Sequence, residues 1–402
     1  MNALFEGVRV LDFTQVISGP FASFNLGMLG ADVIKLELPD VGDQSRSMMS
    51  PPPEWAEVKM SPMFLAMNAG KQSVTLNLKH ARAKEVIERL VKDVDVVVEN
   101  FKAGTMRRMG LGYDELCRIN PRLIYCSISG YGQTGPKAGA PAYDPVVQAA
   151  AGMMSINGYD ETGPTKVGFW VVDMASGLNA AFAIASALFH RERTGAGQCL
   201  DVGMLDTAVS LMSPLLSAFL HCGRTPGFTG NGTPVAGGPS TVYPTMNGFI
   251  TIAAATQGQF QALMRTIERP DLMADPRFET PEARRENGDA YRAHIIAALA
   301  RADADVWVER LAEVGVPAGR IAAIPEVMDD PQLIHRDAFQ RVSPPRGLDQ
   351  DVTAVRLGFR SQTRPPEAQS PPPGLGEHTT QVLSEAGYTA GEIATLRDEG
   401  VI

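Results

Sequence analysis

Residues 8–37, "VRVLDFTQVISGPFASFNLGMLGADVIKLE", decide the fold. Two β-branched apolar runs, 8–14 and 31–37, read as strands. Between them, residues 18–30 open like a helix, with Ser18 near the cap and Pro20 in the first turn. The alternation continues outward: strand-like 73–79, an amphipathic helix over 81–93, strand-like 94–100 and strand-like 122–132. Strands separated by helices imply βαβ units and a parallel sheet covered on both faces. The fold class is therefore α/β.

Ligands in such sheets gather at the carboxyl ends of the strands. That draws attention to Gln15–Pro20, Glu37–Arg46, Asn100-Phe101 and Gly130–Lys137. The texture changes after about residue 223, where glycine, proline and threonine dominate; a strand over 249–255 and charge-mixed helices such as 304–315 follow. The change of texture marks residues 225–330 as a second, smaller domain set between 1–224 and 331–402. The prolines of 364–374 predict an extended linker before two short terminal helices.

At 402 residues with 44% hydrophobic and 20% charged side chains, the composition is that of an ordinary globular protein. A net charge of −9 argues against nucleic acid or an anionic membrane as the main partner. The four cysteines are scattered and form no C-x-x-C pair, which suits a reducing compartment and neither a disulfide framework nor a zinc site. Without a basic leader or apolar h-region at the start, a cytoplasmic location is expected. The dinucleotide fingerprint is absent after the first strand, and "AGKQS" (69–73) lacks the leading glycine of a phosphate loop. No G-x-S-x-G elbow and no metal-spaced histidines are present.

One group stands out. In "KVGFWVVDMASGLNAAFAIASALFHRERTGAGQ" (166–198) a single carboxylate, Asp173, opens a weakly polar run whose next charge is Arg191. The spacing after Asp173 predicts a helix with Arg191 and Arg193 in its last turn and a stop at Gly195, and its weakly polar run, 174–189, reads as buried. Asp173 is then either the helix N-cap or a group placed to react, and the two roles are compatible.

Ordered blocks along nearly the whole chain resemble the family III CoA-transferases, the carnitine-dehydratase/bile-acid-inducible family. They include "GVRVLDFTQVISGPFAS", "LGADVIKLELPDVGDQSR", "VDVVVENFKAGTMRRMGLGYDEL", "INPRLIYCSISGYGQTGP", "DMASGLNAAFAIASALFHRERTGAGQ" and "LGEHT". The resemblance implies a Rossmann-like large domain built from both ends of the chain, a smaller α+β domain and an interlocked homodimer. It implies that Asp173 is the nucleophile, carrying coenzyme A between an acyl-CoA donor and a small carboxylic acid. Coenzyme A would be a substrate, with no tightly bound cofactor and no metal. Supporting roles fall to Asp144, Tyr143 and a glycine loop containing Gly237 and Gly238. CoA contacts map onto Gln15, Ile17, Ser18, Leu76, Asn77, Lys79, Asn100, Phe101, Lys102, Arg108 and the 141–144 stretch. Arg46, Lys71 and Lys137 lie in or near the ligand-facing loops and are added for their charge.

Three departures from the formyl-CoA transferases matter. This chain has Ile17 where they carry glutamine, Leu38 where they carry arginine, and Pro141 where they carry lysine. Oxalate is therefore not expected as acceptor. A 2-methylacyl-CoA racemase on the same fold would need a His-Asp pair where this chain reads Tyr143-Asp144, and a non-catalytic CoA-binding protein would have no use for Asp173.

Overall fold

In the computed structural model, which describes residues 3–232, 241–362 and 364–402, six parallel strands form the central sheet. They are β1 (Arg9–Asp12), β2 (Asp32–Glu37), β3 (Lys71–Thr75), β4 (Val96–Glu99), β5 (Ile124–Ser129) and β6 (Gln198–Gly203). Their spatial order is β3-β2-β1-β4-β5-β6. The direction of strand addition reverses between β1 and β4, which opens a crevice at the carboxyl ends of those two strands.

The period-2 alternation of the strands supplies both apolar faces. Leu11, Ile34, Val74 and Val97 point to one side, where helix α2 (Ala83–Leu90) covers them with Val86, Ile87 and Leu90. Val10, Val33, Val96 and Val98 point to the other. There α1 (Ser18–Met28) contributes Ala22 and Leu26, and α4 (Val171–Thr194) contributes Ala180, Ile184 and Leu188. Helix α3 (Asp144–Ala150) precedes α4, and α5 (Met204–Leu211) follows β6. The final helices, α6 (Thr379–Glu385) and α7 (Ala390–Asp398), return to the first face, where Val382, Leu383, Ile393 and Leu396 join the core. Both ends of the chain thus build one sheet domain.

The chain divides into two compact units. The first comprises Met1–Ala151, Gly168–Leu211 and Pro331–Ile402, and the second Gly152–Val167 and Met212–Asp330. The second unit holds an antiparallel sheet of β7 (Val242–Thr245), β8 (Gly248–Ile252) and β9 (Ala318–Arg320), with β8 central. Phe260, Phe278, Tyr291 and Trp307 fill its own core. Back in the first unit, β10 (Phe339–Val342) and β11 (Val352–Val355) form an antiparallel ribbon.

Helix α4 stops at Gly195 as the spacing predicts, but its burial differs from expectation: it is buried along one stripe only. Leu178, Phe182 and Phe189, spaced four and seven residues apart, stand exposed on the opposite face. The small residues allow a close helix crossing: a Cβ on Gly177 would sit 2.6 Å from the Ser18 carbonyl oxygen. Only glycine lets α1 approach α4 there, and that approach sets the site.

Candidate active site

Three loops shape the crevice at the strand reversal. The chain leaves β1 through residues 13–17 before entering α1, and Asn100 follows β4. Asn100 locks the two together: its Oδ1 accepts the Gln15 amide at 2.8 Å and its Nδ2 donates to the Gln15 carbonyl at 2.8 Å. Glu99 Oε2 accepts the Phe101 amide at 2.8 Å, which turns that loop toward the cavity. The third wall is the end of β5 with Gly130, and residues 138 and 140–143 beyond it.

The resulting cavity measures about 510 Å³, within the range of ordinary small-molecule sites. Of the residues singled out by sequence, Gln15, Ile17, Ser18, Asn100, Phe101, Lys102, Tyr143 and Asp173 line it together. Among the described residues Lys102 is its one cationic lining residue. Among the described residues no cluster of His, Cys, Asp and Glu could hold a metal.

Asp173 is half-buried in the first turn of α4, but it is not the cap. The cap comes from another helix. Asp144, at the start of α3 and buried, accepts the Val172 and Asp173 amides on Oδ2 at 2.7 and 3.1 Å. Its Oδ1 takes a hydrogen bond from Gln148 Nε2 at 2.5 Å. The free amides of α4 are therefore satisfied without the Asp173 side chain, which is left to face the cavity. Burial, then the nearby charge of Asp144, pushes the Asp173 carboxyl up to about 7, against the opposing pull of a hydrogen bond with Ser18. A carboxyl so destabilised as an anion, in a cleft, is characteristic of a functional group.

Several expected contacts lie elsewhere. Arg46 is sealed inside: it forks onto Glu37 with both bonds at 2.7 Å and donates to the Pro373 carbonyl, so its charge is not open to a phosphate. Lys71 is likewise buried, on Asp12 at 3.2 Å and Ser23 at 2.8 Å. Leu76, Asn77 and Lys79 sit past the end of β3, with Leu76 buried and Lys79 exposed. Arg108 is exposed and donates to Thr105, and Lys137 is exposed beside the Tyr131 ring. None of these lines the Asp173 cavity. Gly237 and Gly238 fall outside the described residues.

Gln44 and Ala142 line the cavity too, within the flagged 37–46 and 141–144 stretches, whereas sequence reasoning missed Met204. Met204 directly follows β6, an edge strand whose mixed sequence "QCLDVG" carries little strand signal. Recognising that strand would have placed Met204 at the carboxyl edge of the sheet.

A parallel sheet ordered 3-2-1-4-5-6, with a raised carboxyl in the crevice of its strand reversal, defines an α/β enzyme. The chain belongs to CoA-transferase family III, whose model matches residues 5–379. It is 35% identical over 400 residues to the succinyl-CoA:glutarate CoA-transferase of Mus musculus, covering 99% of this chain and 90% of that protein. It is 38% identical over 397 residues to the succinyl-CoA:mesaconate CoA-transferase of Haloarcula marismortui, covering 97% and 98%. The crystal structure of a CAIB/BAIF family protein from Brucella suis superposes with a TM-score of 0.84 at 33% identity, covering 96% of this chain and all of that one.

Proposed function

We propose that this protein moves coenzyme A from an acyl-CoA donor to a small carboxylic acid, with Asp173 as the covalent carrier. The observation that carries the reading is the placement of Asp173. It lies in the ligand cavity, relieved of capping by Asp144 and raised to about 7.

In its ionised form, an Asp173 oxygen attacks the thioester carbonyl of the donor. The C–S bond breaks, CoA leaves as thiolate, and the donor acyl group and Asp173 form a mixed anhydride. The thiolate then attacks the Asp173 carbonyl, so CoA becomes thioesterified to the enzyme and the donor acid departs as carboxylate. An acceptor carboxylate attacks this thioester, giving a second anhydride and free thiolate. The thiolate finally attacks the acceptor acyl carbon and regenerates the Asp173 carboxylate. One thioester replaces another, so no external energy source is required. Each intermediate is hydrolysable, and apolar walls such as Ile17, Ile128 and Met204 exclude water. Ser18 is placed to orient the Asp173 carboxyl.

Succinyl-CoA is the donor to test first, since relatives with that donor in their names match nearly the whole chain. The racemase reading finds little support here. Both Asp144 oxygens are engaged by amide donors, and Tyr143 is 68% exposed, a poor arrangement for paired proton transfer.

The exposed apolar stripe of α4 supports a homodimer, which would cover Leu178, Phe182 and Phe189. Four free cysteines, two of them exposed, fit a cytoplasmic enzyme.

The test is intact-protein mass spectrometry after incubation with succinyl-CoA, and with other acyl-CoAs in parallel. A CoA-sized adduct on the wild type, absent from Asp173→Ala, is the expected result. Turnover that survives Asp173→Ala, or deuterium entering the α-carbon without CoA exchange, would overturn the proposal.

A further inference from the structure

The loop that enters the cavity contains a conformation its own sequence resists. Val16 has φ of 69°, and a β-branched residue in the left-handed region is a steric outlier. Such strain persists only where the surroundings impose it. Here the surroundings are a buried ion pair. The Val16 amide donates to Asp43 Oδ1 at 3.1 Å, and Asp43 Oδ2 meets Lys35 Nζ at 2.8 Å, with the two side chains 1% and 0% exposed. Lys35 Nζ also donates to the Thr14 carbonyl at 2.7 Å. One ion pair thus grips the loop on either side of Gln15. Its own position is fixed in turn, because Glu37 Oε2 accepts the Asp43 amide at 2.9 Å.

A buried Lys–Asp pair is an inefficient source of stability, since desolvation offsets much of its attraction. As a clamp it is well suited. Burial would raise the Asp43 carboxyl, but the Lys35 charge and the surrounding amides outweigh it and hold Asp43 at about 2. The clamp therefore stays charged at any physiological pH.

We propose that Asp43, charged and held by Lys35, is a positioning residue for acyl-CoA. It fixes the strained turn at Val16 so that Gln15, Ile17 and Ser18 face the cavity before the ligand arrives. The inference rests on the reading that this cavity takes acyl-CoA. It goes further by assigning a role to a pair that is not part of the cavity lining.

The experiment compares wild type, Asp43→Asn and the double variant Asp43→Asn/Val16→Gly. Coenzyme A binding is measured by titration calorimetry, and kcat with the donor that labels the wild type. If the clamp preorganises the loop, Asp43→Asn weakens coenzyme A binding by about 10- to 100-fold through a smaller binding-competent fraction. The kcat at saturating donor stays within about threefold, because bound donor draws the loop, Ser18 included, back into the ordered form. Adding Val16→Gly removes the strain that the clamp opposes and recovers much of the lost affinity. Wild-type affinity in Asp43→Asn, or no recovery in the double variant, overturns the inference.

Should Asp43→Asn fail to fold, hydrogen exchange on the wild type decides. Peptides spanning residues 14–18 are expected to be protected in the free protein; fast exchange that slows only with coenzyme A overturns the clamp. A wild type that binds no coenzyme A while those peptides remain protected removes the functional reading instead.

Discussion

Replacing Asp173 with asparagine should stabilise the protein above neutral pH while abolishing transfer. The native carboxyl is raised from 3.8 to about 7, whereas the unfolded chain titrates near its ordinary value. Between those values the native state keeps a proton that the unfolded state has released. Wild-type stability therefore falls as pH rises from about 4 to 7, and the full deficit is present above 7. Three units at about 1.4 kcal/mol each set a ceiling of about 4 kcal/mol. Asp173 is only half-buried and keeps some water contact, so a gain of about 1–3 kcal/mol for Asp173→Asn is expected at pH 8. Asparagine has nearly the same shape and does not titrate. Urea unfolding of both proteins at pH 4, 5, 6, 7 and 8, followed by tryptophan fluorescence, gives the difference directly. It should be near zero at pH 4 and grow to its plateau by pH 8. A difference that is flat with pH, or a wild type that gains stability over the same interval relative to the variant, would refute the argument.

The same raised carboxyl predicts an acid limb in kcat/KM near pH 7, because only the ionised form attacks. Asp144→Asn should move that limb lower by roughly half to one unit, since a like charge is removed; an unmoved or higher limb would contradict this. Gly177→Ala should cost about 1–3 kcal/mol and lower kcat/KM, since the added methyl would push Ser18 away from Asp173. Thermal melting and steady-state rates check both effects, and a neutral substitution would show that the helix crossing is looser than described.

The sheet was legible because its strands are short apolar runs bounded by helices, a signal carried within each segment. Five of the six strands are found that way, and β6 escapes because Gln198, Cys199 and Asp201 break its apolar pattern. Asp173 was legible as an isolated charge in a weakly polar run. Its release from capping was not, because the acceptor that caps the helix instead is Asp144, 29 residues earlier, and only folding brings the two together. The fate of Arg46 and Lys71 was hidden for a related reason. Their counter-charges, Glu37 and Asp12, are the last residues of their strands, where they read as the end of the apolar pattern rather than as partners. A charge within a buried strand predicts a buried opposite charge, but not which one.

The way α6 and α7 close the sheet sets the order in which this chain can mature on the ribosome. When Leu211 has been synthesised, every strand of the sheet exists, yet the surface reserved for Val382, Leu383, Ile393 and Leu396 is still bare. Those side chains emerge only after an inserted unit with its own core has been made, a delay of roughly 10–40 s at ordinary translation rates. During that interval the nascent polypeptide shows water an apolar sheet face, and a chaperone that shields this face would be most useful then.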